Sequence, residues 1–411
     1  MSLPHSPELL RRNFRIDVFG AVCAGLYAAV LLAFMPVVVR RMGGSSFEVA
    51  LVVAAPFIGH LLSPIGIYLL SGLPAVRVVA GVVTASRAVF IAGVLVATTP
   101  LMLAMTTLAF WVITISNIAA YTAVMAAIYP GSERAQAMGK VRIGASIAGI
   151  AAAATAGIVI DVVPATYVFA AVALLSLPGA IGFFWIRDEG RTATAGRRST
   201  FAVAREIWND HRYRRLLTAN TVFGLGNLMN VVIVPIMLVD HFNAPNSFVG
   251  ATAALASMTA IVAYLFWGRM IDRGSSLQLS AYGSSLLLLV PLTYMFAPSI
   301  WFLVPLAVIQ GIVTACFEIT YHTNVVQAAP PGRVLDYATA QSFLLGIRGT
   351  IAPFAASLLM TLIEPRMVLA VAITFMVVGL SLYYRAVRQY APAPPVEAAL
   401  EPVTPETLPA S

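Results

Sequence analysis

Apolar runs long enough to cross a bilayer recur along this chain from end to end, broken by short polar stretches. By pattern alone they cover residues 16–39, 47–71, 76–97, 102–128, 139–160 and 164–186, then 216–239, 248–267, 277–296, 300–324, 337–362 and 367–384. Each comes near the roughly 20 residues that a helix needs to span the hydrocarbon core. The runs are continuous and do not alternate apolar with polar, so helices are predicted and a barrel is not. Six runs precede and six follow a polar connector at 187–215, the one long interior stretch that a bilayer would not accept. The expected fold class is all-α integral membrane, with twelve transmembrane helices in two six-helix bundles. Its parts are an N-terminal segment at 1–11, a bundle at 12–186, the connector at 187–215 and a second bundle at 216–388. A tail at 389–411, rich in Pro, Ala and Glu, is expected to be disordered.

The two bundles repeat one another. Ser46-Phe47 returns as Ser247-Phe248, Pro36-Val-Val-Val as Pro235-Ile-Met-Leu, and Pro130-Gly-Ser-Glu-Arg134 as Pro330-Pro-Gly-Arg333. The offsets lie between 199 and 201 residues. A near-constant offset on either side of a connector is the mark of a tandem duplication, and it makes the halves pseudo-symmetric.

Composition and charge settle the environment. Hydrophobic residues make up 60% and charged residues 10% of the chain, against about 25% charged in soluble domains. Twenty of the 25 Lys and Arg fall on segments that share a face with the connector, and three, Arg40, Arg41 and Arg366, fall on the other. That bias places the connector and both termini in the cytoplasm, with the protein multi-pass in the plasma membrane, the inner membrane of a bacterium. The net charge of +8 lies in loops beside apolar runs, not on a soluble face, so no nucleic-acid partner is expected. Phe201, Val203, Ile207 and Trp208 interleave with charge in the connector, as in a segment lying on anionic lipid headgroups. Arg11, Arg12 and Arg15 precede a first run too long for the core of a cleaved signal peptide, which reads as an uncleaved first span. Cys23 and Cys316 both fall inside runs and are expected to be small core residues, with no disulfide and no metal site.

The segment Gly268-Arg-Met-Ile-Asp272-Arg273-Gly274 follows the eighth run directly. Gly268 would let two helix ends approach, Asp272 would accept from amides at a neighbouring helix N-terminus, and Arg273 would pair nearby. Together with two six-span halves on a basic linker, it resembles the cytoplasmic loop motif of the major facilitator superfamily, Gly-x-x-x-Asp-Arg followed by Gly and basic residues. There are departures. Gly274 comes one position early, Ser275-Ser276 stands where basic residues are usual, and the matching first-half loop, Gly66-Ile-Tyr-Leu-Leu-Ser-Gly-Leu-Pro74, has no aspartate. The resemblance implies a rocker-switch secondary transporter with Gly268, Asp272 and Arg273 as a gating loop. It also implies that the first and fourth spans of each half line a cavity, the second and fifth form the moving interface, and the third and sixth face lipid.

Ionisable side chains within spans are costly and therefore candidates for function. Glu318 and His322 in the tenth run are four apart and share a helix face, and Arg348 lies in the next run. One reading makes Glu318 the proton-coupling carboxylate, Arg348 its ion-pair partner and His322 a relay; another makes Glu318 and Arg348 a structural pair. Asn220, Gly224, Asn227 and Asn230 form a polar stripe in the seventh run, and Thr107, Trp111, Thr114, Asn117 and Tyr121 form one in the fourth. Both stripes suit solute contact, with interhelical hydrogen bonding as the alternative. Arg87 in the third run has Asp17 as its nearest candidate partner, with snorkelling as the other option. His60 is the one further histidine within a run, too little for a metal carrier.

No phosphate-cradling Gly-x-x-x-x-Gly-Lys-Ser/Thr loop occurs, and no catalytic constellation assembles, so neither an enzyme nor a cofactor is expected. The absence of proline from 141 to 163 weakens a drug-antiporter reading. The sequence as a whole predicts a monomeric, proton-coupled carrier of a small solute, efflux or uptake, with an amphipathic or cationic molecule suited slightly better than a sugar. A transporter-shaped receptor, lipid flippase or scaffold is the other class.

Overall fold

The structure is a computed structural model and describes residues 6–70, 72–188, 205, 208–271, 275–329 and 333–389. Among these there are helices and no strands. The first half holds α1 (Pro7–Arg41), α2 (Ser46–Leu69), α3 (Ala75–Val96), α4 (Pro100–Ile115), α5 (Ile118–Ile128), α6 (Gly131–Ile160) and α7 (Ala165–Gly182). The second holds α8 (His211–Asp240), α9 (Asn246–Ile271), α10 (Ser276–Leu287), α11 (Leu289–Phe296), α12 (Val304–Ala328), α13 (Val334–Leu359) and α14 (Pro365–Gln389). Among the described residues eleven helical spans are long and apolar enough to cross a membrane, or 12 when the bent pair α4 and α5 is taken as one span.

Local chemistry explains where the helices begin and break. Pro7 and Glu8 open α1 ahead of the apolar run, because proline is tolerated in the first turn and an acid there meets the positive end of the helix dipole. Ser45 and Glu48 close a capping box on α2. The fourth run, predicted as one helix over 102–128, is instead bent by 42° between α4 and α5. Ser116 and Asn117 turn their side chains onto the carbonyls of Ile113 and Thr114, competing with the helix ladder at that point.

Within the first half α1 packs on α6 and α7, α2 on α4, and α3 on α4 and α7. The second half repeats the plan, with α8 on α13 and α14, α9 on α12, and α10 on α12 and α14. The duplication extends to single contacts. Gly179 of α7 lies against Cys23 of α1, and Gly379 of α14 lies against Phe223 of α8, both partners displaced by the same 200 positions. Lipid gives no hydrophobic drive for helices to associate, so backbones brought close by such glycines carry much of the packing. Between halves α2 packs on α13 and α6 on α9, while α1 runs along α8. Gly157 seats against Asn246 and Gly250 at the α6 to α9 crossing, and Gly349 seats under the Phe57 ring at the α2 to α13 crossing.

Candidate functional site

Two charged side chains from opposite halves meet inside the bundle. Arg142 on α6 brings its Nη1 to 3.5 Å from Oε2 of Glu318 on α12. Tyr264 on α9 donates its hydroxyl to the same carboxylate oxygen. At 1.5 Å per residue Arg142 lies roughly 16 Å from Gly131 and Glu318 roughly 15 Å from Ala328, so the pair is matched in depth. Arg142 also acts electrostatically on Tyr121 of α5, so its guanidinium lies between the fourth span and the tenth. Exposure is 65% for the Arg142 side chain and 48% for Glu318. A charged pair at this depth would not be tolerated by lipid, so the exposure is to a cleft between the halves.

The predicted ion pair between Glu318 and Arg348 is not formed. The hairpin helices α12 and α13 touch little: α12 lies on α9 and α10, whereas α13 lies on α2 and α8. Arg348 accordingly turns to α8, where its Nη1 donates to Oδ1 of Asn220 at 2.7 Å and to the Asn220 backbone carbonyl. Gly224 makes this possible, because any Cβ there would meet the Arg348 guanidinium. Depth along the helix had suggested the pair; the direction in which each side chain points rules it out.

The remaining predicted residues are distributed as follows. Asn220 is engaged by Arg348, Asn227 is half-buried on α8, and Asn230 is buried with an oxygen that has no partner among the described residues. Asn117 is buried at the α4 to α5 bend with its amide on Thr114, and Trp111 is half-buried with its ring edge-on to Phe110. Tyr121 approaches the Asp17 carboxylate. His60 on α2 faces Ser342 on α13 at 3.5 Å, a contact between halves. The His322 side chain, Asp272 and Arg273 lie outside the described residues, as do most of the connector and the tail. A Cβ at Gly268 would meet nothing within 4 Å among the described residues.

Arg87 and Asp17 do not pair either. Arg87 is buried inside the first half, neither facing lipid nor snorkelling, with its guanidinium 4.1 Å from the Tyr27 ring centroid and 3.1 Å from the Ser86 hydroxyl. An aromatic face partly replaces a counter-ion there. Asp17 is buried too and accepts from the Tyr129 hydroxyl at 2.7 Å. Sequence reading missed Arg142, Tyr264 and the bond of Tyr129 to Asp17. For Arg142 the signal was present, since it lies inside the predicted run 139–160 but was weighed only as a loop charge.

At the end of the bundle away from the connector the halves are tied repeatedly. Arg40 forms a forked ion pair with Asp240, with Nε 3.0 Å from both carboxylate oxygens, and Arg41 donates to the Ala244 carbonyl. Asp161, just past α6, accepts from the amides of Asn246 and Ser247 at 2.9 Å each, at the start of α9. Burial alone would raise the Asp161 pKa, but these hydrogen bonds outweigh it and hold the carboxyl below its usual value. Ser46 meets Ser357 at 3.0 Å on the other flank. Nearer the connector, the described contacts between halves include those of Arg142 with Glu318 and of His60 with Ser342.

The Major Facilitator Superfamily profile matches residues 18–229 and 216–409. No curated protein matches the sequence. Among solved structures, the nucleoside transporter NupG is similar at a TM-score of 0.69 and 13% identity, over 93% of this chain and 100% of that one. A bacterial homologue of the human lysosomal transporter Spinster, inward-facing and occupied, gives 0.65 and 13%, over 96% and 100%. A POT family transporter in complex with a thioalcohol-conjugated peptide gives 0.71 and 11%, over 91% and 96%. At these identities the likeness is one of fold; with the profile covering both halves, the chain belongs to the major facilitator superfamily and is a multi-pass membrane transporter, not an enzyme.

Proposed function

We propose that this transporter carries a small organic solute by alternating access, coupled to protons at Glu318. The observation that carries the reading is the meeting of Arg142 and Glu318, one from each half, at matched depth and open to the cleft. Protonation of Glu318 removes the charge that holds Arg142, so the contact linking α6 to α12 becomes conditional on pH and on solute. Tyr264 keeps the carboxylate aimed at the cleft. Arg348 acts by fixing α13 to α8 through Asn220, and His322, four positions nearer the connector end of α12, is the relay. Trp111, Tyr121, Asn227 and Asn230 contribute to the walls that the solute meets. The basic bias of the loops supports a connector and termini in the cytoplasm, in the plasma membrane of the cell, the inner membrane for a bacterium. Structural neighbours described as carrying a nucleoside and holding a peptide support a small organic cargo.

The test is Glu318→Gln in proteoliposomes with a pH-sensitive dye inside. Solute counterflow is expected to weaken but to stay measurable at higher solute concentration, while solute-driven proton movement is lost. Unchanged proton movement would remove Glu318 from the coupling. Absence of counterflow for any solute in the unaltered protein would favour a receptor or scaffold.

A further inference from the structure

Three of the ionisable groups carried inside the spans have their partners within their own half. Arg348 bonds Asn220, Arg87 lies on the Tyr27 ring, and Asp17 takes the Tyr129 hydroxyl. Arg142 and Glu318 differ in every respect that matters for binding. They come from opposite halves, both are substantially exposed, and their 3.5 Å contact is looser than the roughly 2.7–2.9 Å of a tight charged hydrogen bond.

The two charges cancel. A solute that enters between them must give back to each what it loses, a positive group to Glu318 and a negative group to Arg142. A purely cationic solute leaves the guanidinium without a counter-charge in a partly desolvated cleft, and a purely anionic one leaves the carboxylate so. We propose that the solute is a zwitterion, an organic molecule carrying an ammonium and a carboxylate. Its ammonium sits on Glu318, and its carboxylate lies on the planar fork of Arg142, which suits two parallel hydrogen bonds. Because the two groups belong to different halves, the bound zwitterion replaces their direct contact with a bridge, and the halves close around it. This departs from the amphipathic or cationic solute suggested by the sequence, because the arginine opposite Glu318 was not visible there. It rests on the transport reading given above and names the charge class of the cargo.

The experiment uses the purified full-length protein in nanodiscs and a panel of α-, β- and ω-amino acids and dipeptides, followed by thermal stabilisation and calorimetry. Each binding compound is compared with its methyl ester, which keeps only the cation, and its N-acetyl derivative, which keeps only the anion. Both derivatives are expected to bind about tenfold or more weakly, the loss of one charged contact. In Arg142→Gln the free acid loses its advantage over the ester, and in Glu318→Gln the free amine loses its advantage over the N-acetyl form. The exchange of Arg142→Glu with Glu318→Arg in one chain retains the zwitterion preference, which guards against variants that simply misfold. Esters or N-acetyl forms that bind as tightly as their parents overturn the proposal. So does a preference that persists in Arg142→Gln, or binding of cationic or uncharged compounds while no zwitterion binds. If no compound of any charge binds or exchanges across a membrane, the transport reading fails along with it.

Discussion

Arg348 shows how a cation deep in a membrane protein is accommodated: a carbonyl and an amide oxygen from Asn220 receive it, and the bare backbone of Gly224 leaves it room. Gly224→Val should push the guanidinium off that seat and destabilise the protein by about 1–3 kcal/mol, read as a lowered midpoint in thermal or denaturant unfolding. Adding Arg348→Met removes the obstructed group, so the double variant should lose less than the sum of the two single losses. An additive result would mean that Gly224 and Arg348 do not share a site. Glu318 and Arg348 were both legible in the sequence, since an ionisable residue inside an apolar run stands out. Their partners were not. Arg142 lies close to the predicted start of its run and resembled a loop charge, and the bond from Tyr264 depends on which face of α9 meets α12.

The elements were the most legible level, because continuous apolar runs of bilayer length admit few alternatives. The helix over 131–160 begins eight positions before its apolar run at 139, a polar extension that hydropathy does not register. The break at Ser116 and Asn117 escaped as well: Asn117 reads as a position on a helical stripe, whereas both side chains bond the backbone and bend it. The repeat is real at the level of contacts, and that has a measurable consequence. Gly179→Leu and Gly379→Leu should each destabilise by about 1–3 kcal/mol, since each forces a side chain into the same kind of crossing, α1 with α7 and α8 with α14. Similar losses from the two variants are expected in unfolding titrations. A loss from one and none from the other would show that the halves have ceased to pack alike at this crossing.

At the scale of the whole molecule, the far end is held shut by Arg40 on Asp240 and by Asp161 on the start of α9. Asp161 has a carboxyl held below its ordinary 3.8 in the folded state. Its contribution is therefore present above that ordinary value and disappears only as pH falls through the lowered one. Asp161 therefore stays ionised between about pH 5 and 7, and Asp161→Asn should loosen the far end by a similar amount throughout that range, read as a lowered unfolding midpoint. A loss that shrinks between pH 7 and 5 would mean that Asp161 titrates in this window. The central claim is that two rigid halves rock about a charged site that each of them half owns. It is tested most directly by distances between spin labels, one pair at positions 42 and 243 on the far end and one pair at positions 136 and 327 on the connector end. Adding a bound solute at acidic pH should lengthen the first distance and shorten the second within the same sample, and Glu318→Gln should shift both populations together. Distances that stay fixed, or that lengthen at both ends at once, would contradict the account.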